Sequence, residues 1–156
     1  IMTQSESNAS RFGLWIYQDG RIHVALGGGG YYTDVNATKI VAGQWTHIAV
    51  AVDYSQSSRV LLYENGTNVP LTNTNSDASY NIGHDFYVGK SILTSSNVHN
   101  FVGQINQVKI WDDALTQNQI NETDRMYGSG GTKATANLLA HYAFDTASSA
   151  VVQDES

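Results

Sequence analysis

Hydrophobic and polar residues alternate along the chain in short segments, which is the period of β-strands. Residues 21–26 are such a segment, residues 12–17 are rich in aromatic and aliphatic residues, and the two flank Asp19-Gly20. Residues 60–63 lead into Asn65-Gly66 in the same manner. Asp-Gly and Asn-Gly pairs favour type I′ turns, because both central residues of such turns take positive φ. The pattern therefore predicts two β-hairpins.

Other segments have the composition of strands, and one has that of a helix. The strands are predicted at residues 45–52, 86–89, 101–111 and 138–144. Thr116 is a good N-cap, and Gln119 three residues later completes a capping box, so a helix is expected from about Gln117 to Met126. Many short strands with one brief helix predict an all-β fold, an antiparallel β-sandwich of the jelly-roll kind.

The alternation also sorts the strand residues by face. The apolar face is expected to form the core and carries Leu14, Ile16, Ile22, Val24, Ile48, Val50 and Val52. The opposite face carries aromatic rings with polar tips, namely Trp15, Tyr17, His23, Trp45 and His47, with Tyr63 as a further candidate. Sugar rings stack their C–H faces on aromatic rings while polar groups bond the hydroxyls, so this face is the first candidate ligand site. A helix or loop that covers the face is the alternative.

Glycines 27 to 30 precede Tyr31-Tyr32-Thr33-Asp34, and both parts of this segment are expected to form loops. The glycine run carries no Lys and opens no helix, which separates it from phosphate-binding glycine loops. Exposed loop tyrosines beside an acid suit sugar or calcium-assisted binding, so Tyr31, Tyr32 and Asp34 form a second candidate site. A tyrosine pair that closes the end of a sandwich explains them equally well.

Composition narrows the function classes. The chain has no Cys among its 156 residues, so neither a disulfide framework nor a cysteine zinc site can form. Lys and Arg number 8 and are scattered, and the net charge is -6, so nucleic acid is not an expected partner. The longest apolar run, residues 45–52, is far shorter than the about 20 residues of a membrane span, so no membrane insertion is expected. A surface of small uncharged polar residues favours an exported protein.

Three segments, in order, resemble laminin-G-like, concanavalin A-like domains. Residues 43–53 (GQWTHIAVAVD) are similar to a "G-x-W-x-H-hydrophobic-A-V-x-x-D" strand, and residues 62–66 (LYENG) to an "L-Y-x-N-G" hairpin. Residues 101–111 (FVGQINQVKIW), then Ala114-Leu115 and Ile120, are similar to an "F-x-G-x-I-D-E-V-R-I-W…A-L…E-I" ending. The resemblance implies a jelly roll, and this fold hosts lectins, adhesion modules, pentraxins and enzyme appendages.

The chain departs from the family pattern at its C-terminal end. Residues 138–145 (LLAHYAFD), with Asp154, resemble the family's opening strand, which normally comes first. We therefore expect a jelly-roll domain over residues 1–127, a Gly/Thr/Ala connector over 128–137, and the displaced strand within 138–156. The chain is a circular permutant, the end of one module joined to the start of the next, or a fragment completed by another chain. A missing strand leaves an open sheet edge, so oligomerisation or a complementing chain is expected.

The family resemblance also raises calcium as the candidate cofactor. Asn106-Gln107 stands where family members carry an acidic pair, which weakens any calcium site there. Asp145, Asp154 and the side-chain oxygen of Asn106 are the best candidate ligands, because calcium takes six to eight oxygens. The alternative for Asp145 is a turn cap after its strand.

Catalytic patterns are missing from the sequence. There is no Gly-x-Ser-x-Gly, and the five His residues show no His-x-x-x-His spacing. The Glu-x-Asp-x-x-Glu strand of retaining glucanases on related jelly rolls is also missing, and a glycosidase needs two facing carboxylates. The first hypothesis is thus a non-catalytic lectin-like module, secreted or displayed at a cell surface, that binds glycan or a cell-surface glycoconjugate. The alternatives are a protein–protein adhesion or spacer module and an accessory domain of a polysaccharide-degrading enzyme.

Overall fold

The computed structural model describes residues 2–4, 12–27, 29–33, 39–57, 59–73, 86–94, 97–122 and 137–144. Within them, strands alternate with turns, and one short helix, α1 (Gln117–Glu122), follows the twelfth strand. The strands are β1 (Met2–Gln4), β2 (Phe12–Ile16), β3 (Ile22–Leu26), β4 (Gly29–Thr33), β5 (Ile48–Val52), β6 (Val60–Glu64), β7 (Thr67–Val69), β8 (Leu71–Asn73), β9 (Phe86–Val88), β10 (Lys90–Thr94), β11 (Asn97–Asn100), β12 (Gln107–Trp111) and β13 (Leu138–Ala143). The fold class is the predicted one, an all-β antiparallel β-sandwich fold with one short helix.

The chain divides into two compact units. Unit 1 consists of residues 1–45 and 69–103, and unit 2 consists of residues 46–68 and 104–156. Unit 1 holds a six-stranded sheet in the order β8-β4-β3-β2-β1-β9 and the β10–β11 pair. The sheet β5-β6-β7 and the β12–β13 pair belong to unit 2, except that Val69 of β7 falls at the boundary. No helix in the described ranges is long and apolar enough to span a membrane.

The register of β2 and β3 fixes the faces of the unit 1 sheet. Leu14 lies opposite Val24, and Ile16 lies opposite Ile22, so the predicted core residues of both strands share one face. Leu14 is 5% exposed, and Ile22 and Val24 are fully buried. The core face of unit 1 is therefore confirmed.

The β2–β3 hairpin closes with a different turn from the predicted one. Gly20 N donates to the Tyr17 carbonyl at 2.9 Å, and Tyr17 N donates to the Arg21 carbonyl at 2.8 Å. Gly20 has a φ of 84°, whereas Asp19 is not among the described residues with positive φ. This is a type I turn followed by a left-handed glycine, the usual three-residue hairpin loop. The prediction of a type I′ turn at Asp19-Gly20 is wrong. The loop has three residues, Gln18 to Gly20, and among them only Gly20 takes the left-handed conformation.

Residues 29–33 of the glycine and tyrosine segment form the strand β4 rather than the predicted loop, whereas Gly27 is a turn residue with a φ of 57°. β4 pairs with β3 on one side, where His23 lies opposite Tyr32, and with β8 on the other side, where Tyr32 lies opposite Thr72. Gly29 and Gly30 lie opposite Leu26 and Ala25 of β3, which gives their backbone a strand partner on that side, and tyrosines favour strands. The pairing outweighs the turn preference of glycine.

Unit 2 contains the second hairpin, formed by β6 and β7. Asn65 and Gly66 have φ values of 50° and 78°, so both residues between the strands are left-handed, as a type I′ turn requires. In β5, Ile48, Val50 and Val52 lie opposite Glu64, Leu62 and Val60, which confirms that the three share one face. The strand itself begins at Ile48, not at the predicted Trp45.

The opposite face of this sheet packs on the helix. Tyr63, Ala51 and Ile120 form a buried cluster, with Ala114 and Leu115 packed against it. The capping box forms as predicted: Gln119 N donates to Thr116 Oγ1 at 3.3 Å, and Thr116 N donates to Gln119 Oε1 at 2.9 Å. The predicted end of the helix at Met126 lies outside the described residues.

The C-terminal strand pairs within the chain. β13 runs antiparallel to β12, with Ile110 opposite Ala140 and Val108 opposite Tyr142. Backbone hydrogen bonds extend the pairing at both ends, from Asp112 N to the Asn137 carbonyl and from Phe144 N to the Asn106 carbonyl. β12 begins at Gln107, so the predicted strand at residues 101–111 is correct only in its second half.

Candidate functional site

Two strands and the turn between them place three aromatic side chains together. Trp15 on β2 lies directly opposite His23 on β3. Tyr17 follows the end of β2, two positions after Trp15, so the alternation of the strand carries it to the same side. We call Trp15, Tyr17 and His23 the aromatic cluster. It corresponds to the unit 1 part of the first candidate site.

The His23 ring contacts each of the other two rings. Its centroid is 5.6 Å from that of Tyr17, and the two planes differ by only 6°. The Trp15 centroid is 5.1 Å from that of His23, with an interplanar angle of 39°. The Tyr17 hydroxyl and His23 Nδ1 form a hydrogen bond of 3.2 Å. Stacking and this hydrogen bond together hold the three rings in one arrangement.

Two charged residues of the turn hold the outer edge of the cluster. Arg21 Nε donates to Asp19 Oδ2 at 2.7 Å, and Arg21 N donates to Asp19 Oδ1 at 3.2 Å. The Arg21 guanidinium lies 5.5 Å from the centroid of the Tyr17 ring, within the range of a cation–π contact. The backbone hydrogen bond from Arg21 lowers the pKa of Asp19, and the guanidinium adds to this effect. The carboxylate therefore stays ionised, and the pair is electrically neutral.

Exposure differs across the cluster. His23 is buried, at 9% exposure, and Trp15 is half-buried, whereas Tyr17 is 40% exposed. The cluster thus offers aromatic surface at Trp15 and Tyr17 over a fixed imidazole, with a phenol hydroxyl and a guanidinium at its edge. Such a surface can stack an apolar ring face and donate hydrogen bonds to hydroxyls next to it.

The remaining predicted residues of the aromatic face do not belong to β2 or β3, the strands that carry Trp15 and His23. Trp45 is 54% exposed and follows the turn at residues 42–44 that precedes β5. His47 is half-buried in unit 2, where its N–H donates to Asn65 Oδ1 at 3.0 Å and its carbonyl accepts from Asn65 N at 2.9 Å. Neither residue lies on a strand, so the alternation used to assign them to a strand face does not apply. Tyr63 is 4% exposed beneath α1, so its proposed contact with a ligand is wrong.

The second candidate site changes in character. Tyr31 and Tyr32 belong to β4, with Tyr32 opposite His23 in the register, so they do not form the exposed loop that was expected. Asp34 lies outside the described residues. The loop assignment is wrong because the sequence analysis missed β4, and binding at Tyr31, Tyr32 and Asp34 stays a prediction.

The described residues include only one of the three predicted calcium ligands, Asn106, so the calcium site stays a prediction. Asn106 is exposed, and its backbone carbonyl accepts the Phe144 N–H at 3.0 Å. Asp145 and Asp154 lie outside the described residues. Within the described part of the chain, no group of three or more His, Asp or Glu residues could hold a metal ion. Asn106 alone does not constitute a calcium site.

Sequence reasoning missed Asp19 and Arg21 as members of the site. Both were interpreted only as parts of a hairpin. Their spacing of two residues across a glycine is the signal that could have identified them, because a tight turn brings such side chains together. The charge pair then lies beside the Tyr17 ring, which follows the end of β2.

Comparison with known proteins agrees with this architecture. No curated protein and no solved structure matches the chain significantly. A family model described as the concanavalin A-like lectin/glucanases superfamily, of the laminin-G kind, matches residues 1–121. This match includes the aromatic cluster, the two hairpins and most of α1. The chain therefore belongs to the concanavalin A-like lectin/glucanases superfamily.

Proposed function

We propose that the chain is a non-catalytic, lectin-like module, secreted or displayed at a cell surface, that binds a neutral sugar ring on the aromatic cluster. The observation that supports this function is the arrangement of Trp15, His23 and Tyr17, held by ring stacking and a 3.2 Å hydrogen bond. A fixed aromatic surface binds a pyranose with little loss of side-chain entropy. Membership of a superfamily that contains lectins agrees with the proposal.

The charges at the cluster favour a neutral sugar over an acidic one. Arg21 is the cation nearest the rings in the described contacts, and it is already paired with Asp19 at 2.7 Å. An anionic sugar would have to compete with that carboxylate, whereas hydroxyls can accept from the remaining guanidinium N–H groups. Binding is therefore expected to depend only weakly on salt concentration.

A glycan array with and without added calcium tests the proposal. Binding of the wild-type protein to neutral glycans is expected, and no binding in either condition would refute the lectin function. Trp15→Ala and Tyr17→Ala should each weaken that binding by about tenfold or more, which corresponds to about 1.4 kcal/mol.

Tyr54 offers a matched control for Tyr17. Tyr54 is 49% exposed and has the Arg59 guanidinium 5.6 Å from its ring centroid, so it resembles Tyr17 in both exposure and its arginine contact. It lies in the β5–β6 turn of unit 2, away from the cluster residues along the chain. Tyr54→Ala should leave glycan binding unchanged. Equal losses for both tyrosine variants would contradict a site at the aromatic cluster.

The exposed turn before β5 supports one alternative, a protein–protein adhesion module. Val41 and Trp45 are 52% and 54% exposed, and they flank a turn in which Gln44 N donates to the Val41 carbonyl at 3.2 Å. Exposed apolar side chains on a tight turn are typical of protein contacts. This function predicts that the protein binds no glycan on the array. It also predicts that Trp45→Ala loses adhesion to a protein partner.

A further inference from the structure

Gly13 lies two residues before Trp15 on β2, so the two positions share one face of the strand. A Cβ atom built on Gly13 would lie 2.5 Å from both Cζ2 and Cζ3 of Trp15, and closer still to Cη2, the atom between them. Non-bonded carbon atoms settle at about 3.5–4.0 Å from one another. No side chain fits at position 13, therefore, while the indole is in place.

The same distances give the orientation of the indole. A point beyond the edge of a ring is much farther from the two flanking atoms than from the nearest atom, whereas a point above the ring plane is only slightly farther. The Cβ position is of the second kind. The face of the six-membered ring therefore lies over the backbone of Gly13, and its other face points away from the strand.

We propose that Gly13 is a positioning residue of the aromatic cluster. The missing side chain lets Trp15 lie against β2 beside His23, at the place where the proposed sugar would stack. This inference rests on the proposed function. The backbone itself does not require glycine at this position, because Gly13 is not among the glycines with positive φ. A glycine inside a strand weakens that strand, so the indole is the feature that explains it.

The position of Trp15 can be tested without any glycan. Labelling with 5-fluorotryptophan gives fluorine NMR signals for Trp15, Trp45 and Trp111, and Trp15→Phe assigns the first. Gly13→Ala should shift the Trp15 signal and leave the other two in place. Gly13→Ala should also destabilise the wild-type protein to urea and have little effect in a Trp15→Ala background, because the clash is then gone.

Gly103→Ala is the matched control for the glycine substitution. A Cβ at Gly103 would lie 2.7 Å from two ring carbons of Phe101, so the variant also forces an aromatic ring to move, but outside the cluster. Gly103→Ala should leave both the Trp15 signal and glycan binding unchanged.

The glycan probes are cellohexaose, mannohexaose and a β-1,4-linked galactohexaose, measured by titration calorimetry. For whichever of them the wild type binds, Gly13→Ala should lower the affinity by about tenfold or more. An unmoved Trp15 signal, a urea effect that persists in Trp15→Ala, or full glycan affinity in Gly13→Ala would each overturn the inference. The wild type could bind no glycan on the array while Gly13→Ala still shifts the Trp15 fluorine signal. That result would refute the proposed function, but the placement of the Trp15 ring would stand.

Discussion

At the scale of single residues, Glu64 places a carboxyl group among buried apolar side chains. It lies on the β6 face that also carries Val60 and Leu62, and it is 7% exposed. One carboxylate oxygen, Oε2, is buried without a hydrogen-bond partner among the described residues. Burial disfavours the charged form and raises the pKa of Glu64 above its ordinary value of 4.5.

The raised pKa predicts a pH dependence of stability. Folding favours protonation of Glu64, so its contribution to stability is fully present below pH 4.5 and is lost as the pH rises through the raised pKa of the folded state. Glu64→Gln removes the charge and should raise the free energy of unfolding by about 1 kcal/mol at pH 7. Urea unfolding at several pH values measures both effects.

Asp113→Asn is the control for Glu64→Gln. Asp113 is exposed, so the substitution removes the same charge without relieving any burial. Asp113→Asn should keep the loss of stability that the wild type shows as the pH rises above 4.5, whereas the Glu64→Gln profile should lack that loss. If both variants gave the same profile, burial of Glu64 would not be the cause.

At the scale of elements, the Asn65-Gly66 turn connects β6 and β7 and also holds the segment that precedes β5. Asn65 combines a left-handed φ of 50° with two hydrogen bonds to His47. Asn65→Gly keeps the turn and loses one acceptor, at a cost of about 1 kcal/mol. Asn65→Ala also adds left-handed strain, so it should cost about 1 kcal/mol more. Urea midpoints that coincide for the two variants would show that the backbone strain is negligible.

The two hairpins show how far sequence reasoning reaches. Asn65-Gly66 forms the predicted turn because β6 and β7 end directly beside it. Asp19-Gly20 forms another turn because Tyr17 pairs with Arg21, which adds Gln18 to the loop. Local preference identifies a hairpin, but the strand register decides the loop length. β4 was missed for a related reason, since only its pairing with β3 makes a strand of Gly29 and Gly30. The aromatic cluster was predicted in part because Trp15 and Tyr17 follow strand alternation.

The helix α1 has only six residues, so its cap and its packing must compensate for its short length. Ile120 is 3% exposed and packs on Ala51 and Tyr63. We expect Ile120→Ala to cost about 3 kcal/mol and Thr116→Ala about 1 kcal/mol in urea unfolding. Asn118→Ala, at an exposed position of the same helix, should change stability by less than about 0.5 kcal/mol. A Thr116→Ala variant as stable as Asn118→Ala would argue against the cap.

At the scale of the whole molecule, the family match and the structure differ in extent. The match ends at residue 121, whereas β13 begins at Leu138 and pairs with β12 along its length. Ala140 of β13 is buried, at 9% exposure. In the described part of the chain β12 has no other strand partner, so β13 supplies the backbone hydrogen bonds on that edge. We infer that this C-terminal segment completes the module instead of starting another one.

Truncation separates these two roles. A chain of residues 1–122 lacks β13 and exposes the edge of β12, which invites pairing between molecules. It should therefore unfold at lower urea concentration than residues 1–144 and form dimers or larger species in light scattering after gel filtration. A synthetic peptide of residues 137–144 should restore the monomer by strand addition.

Because residues 1–144 keep β13 and lack Asp145 and Asp154, this chain is also the control for any effect of calcium. If residues 1–122 remained monomeric and as stable as residues 1–144, β13 would be an appendage of the fold, because its backbone hydrogen bonds and the burial of Ala140 would then contribute no net stability.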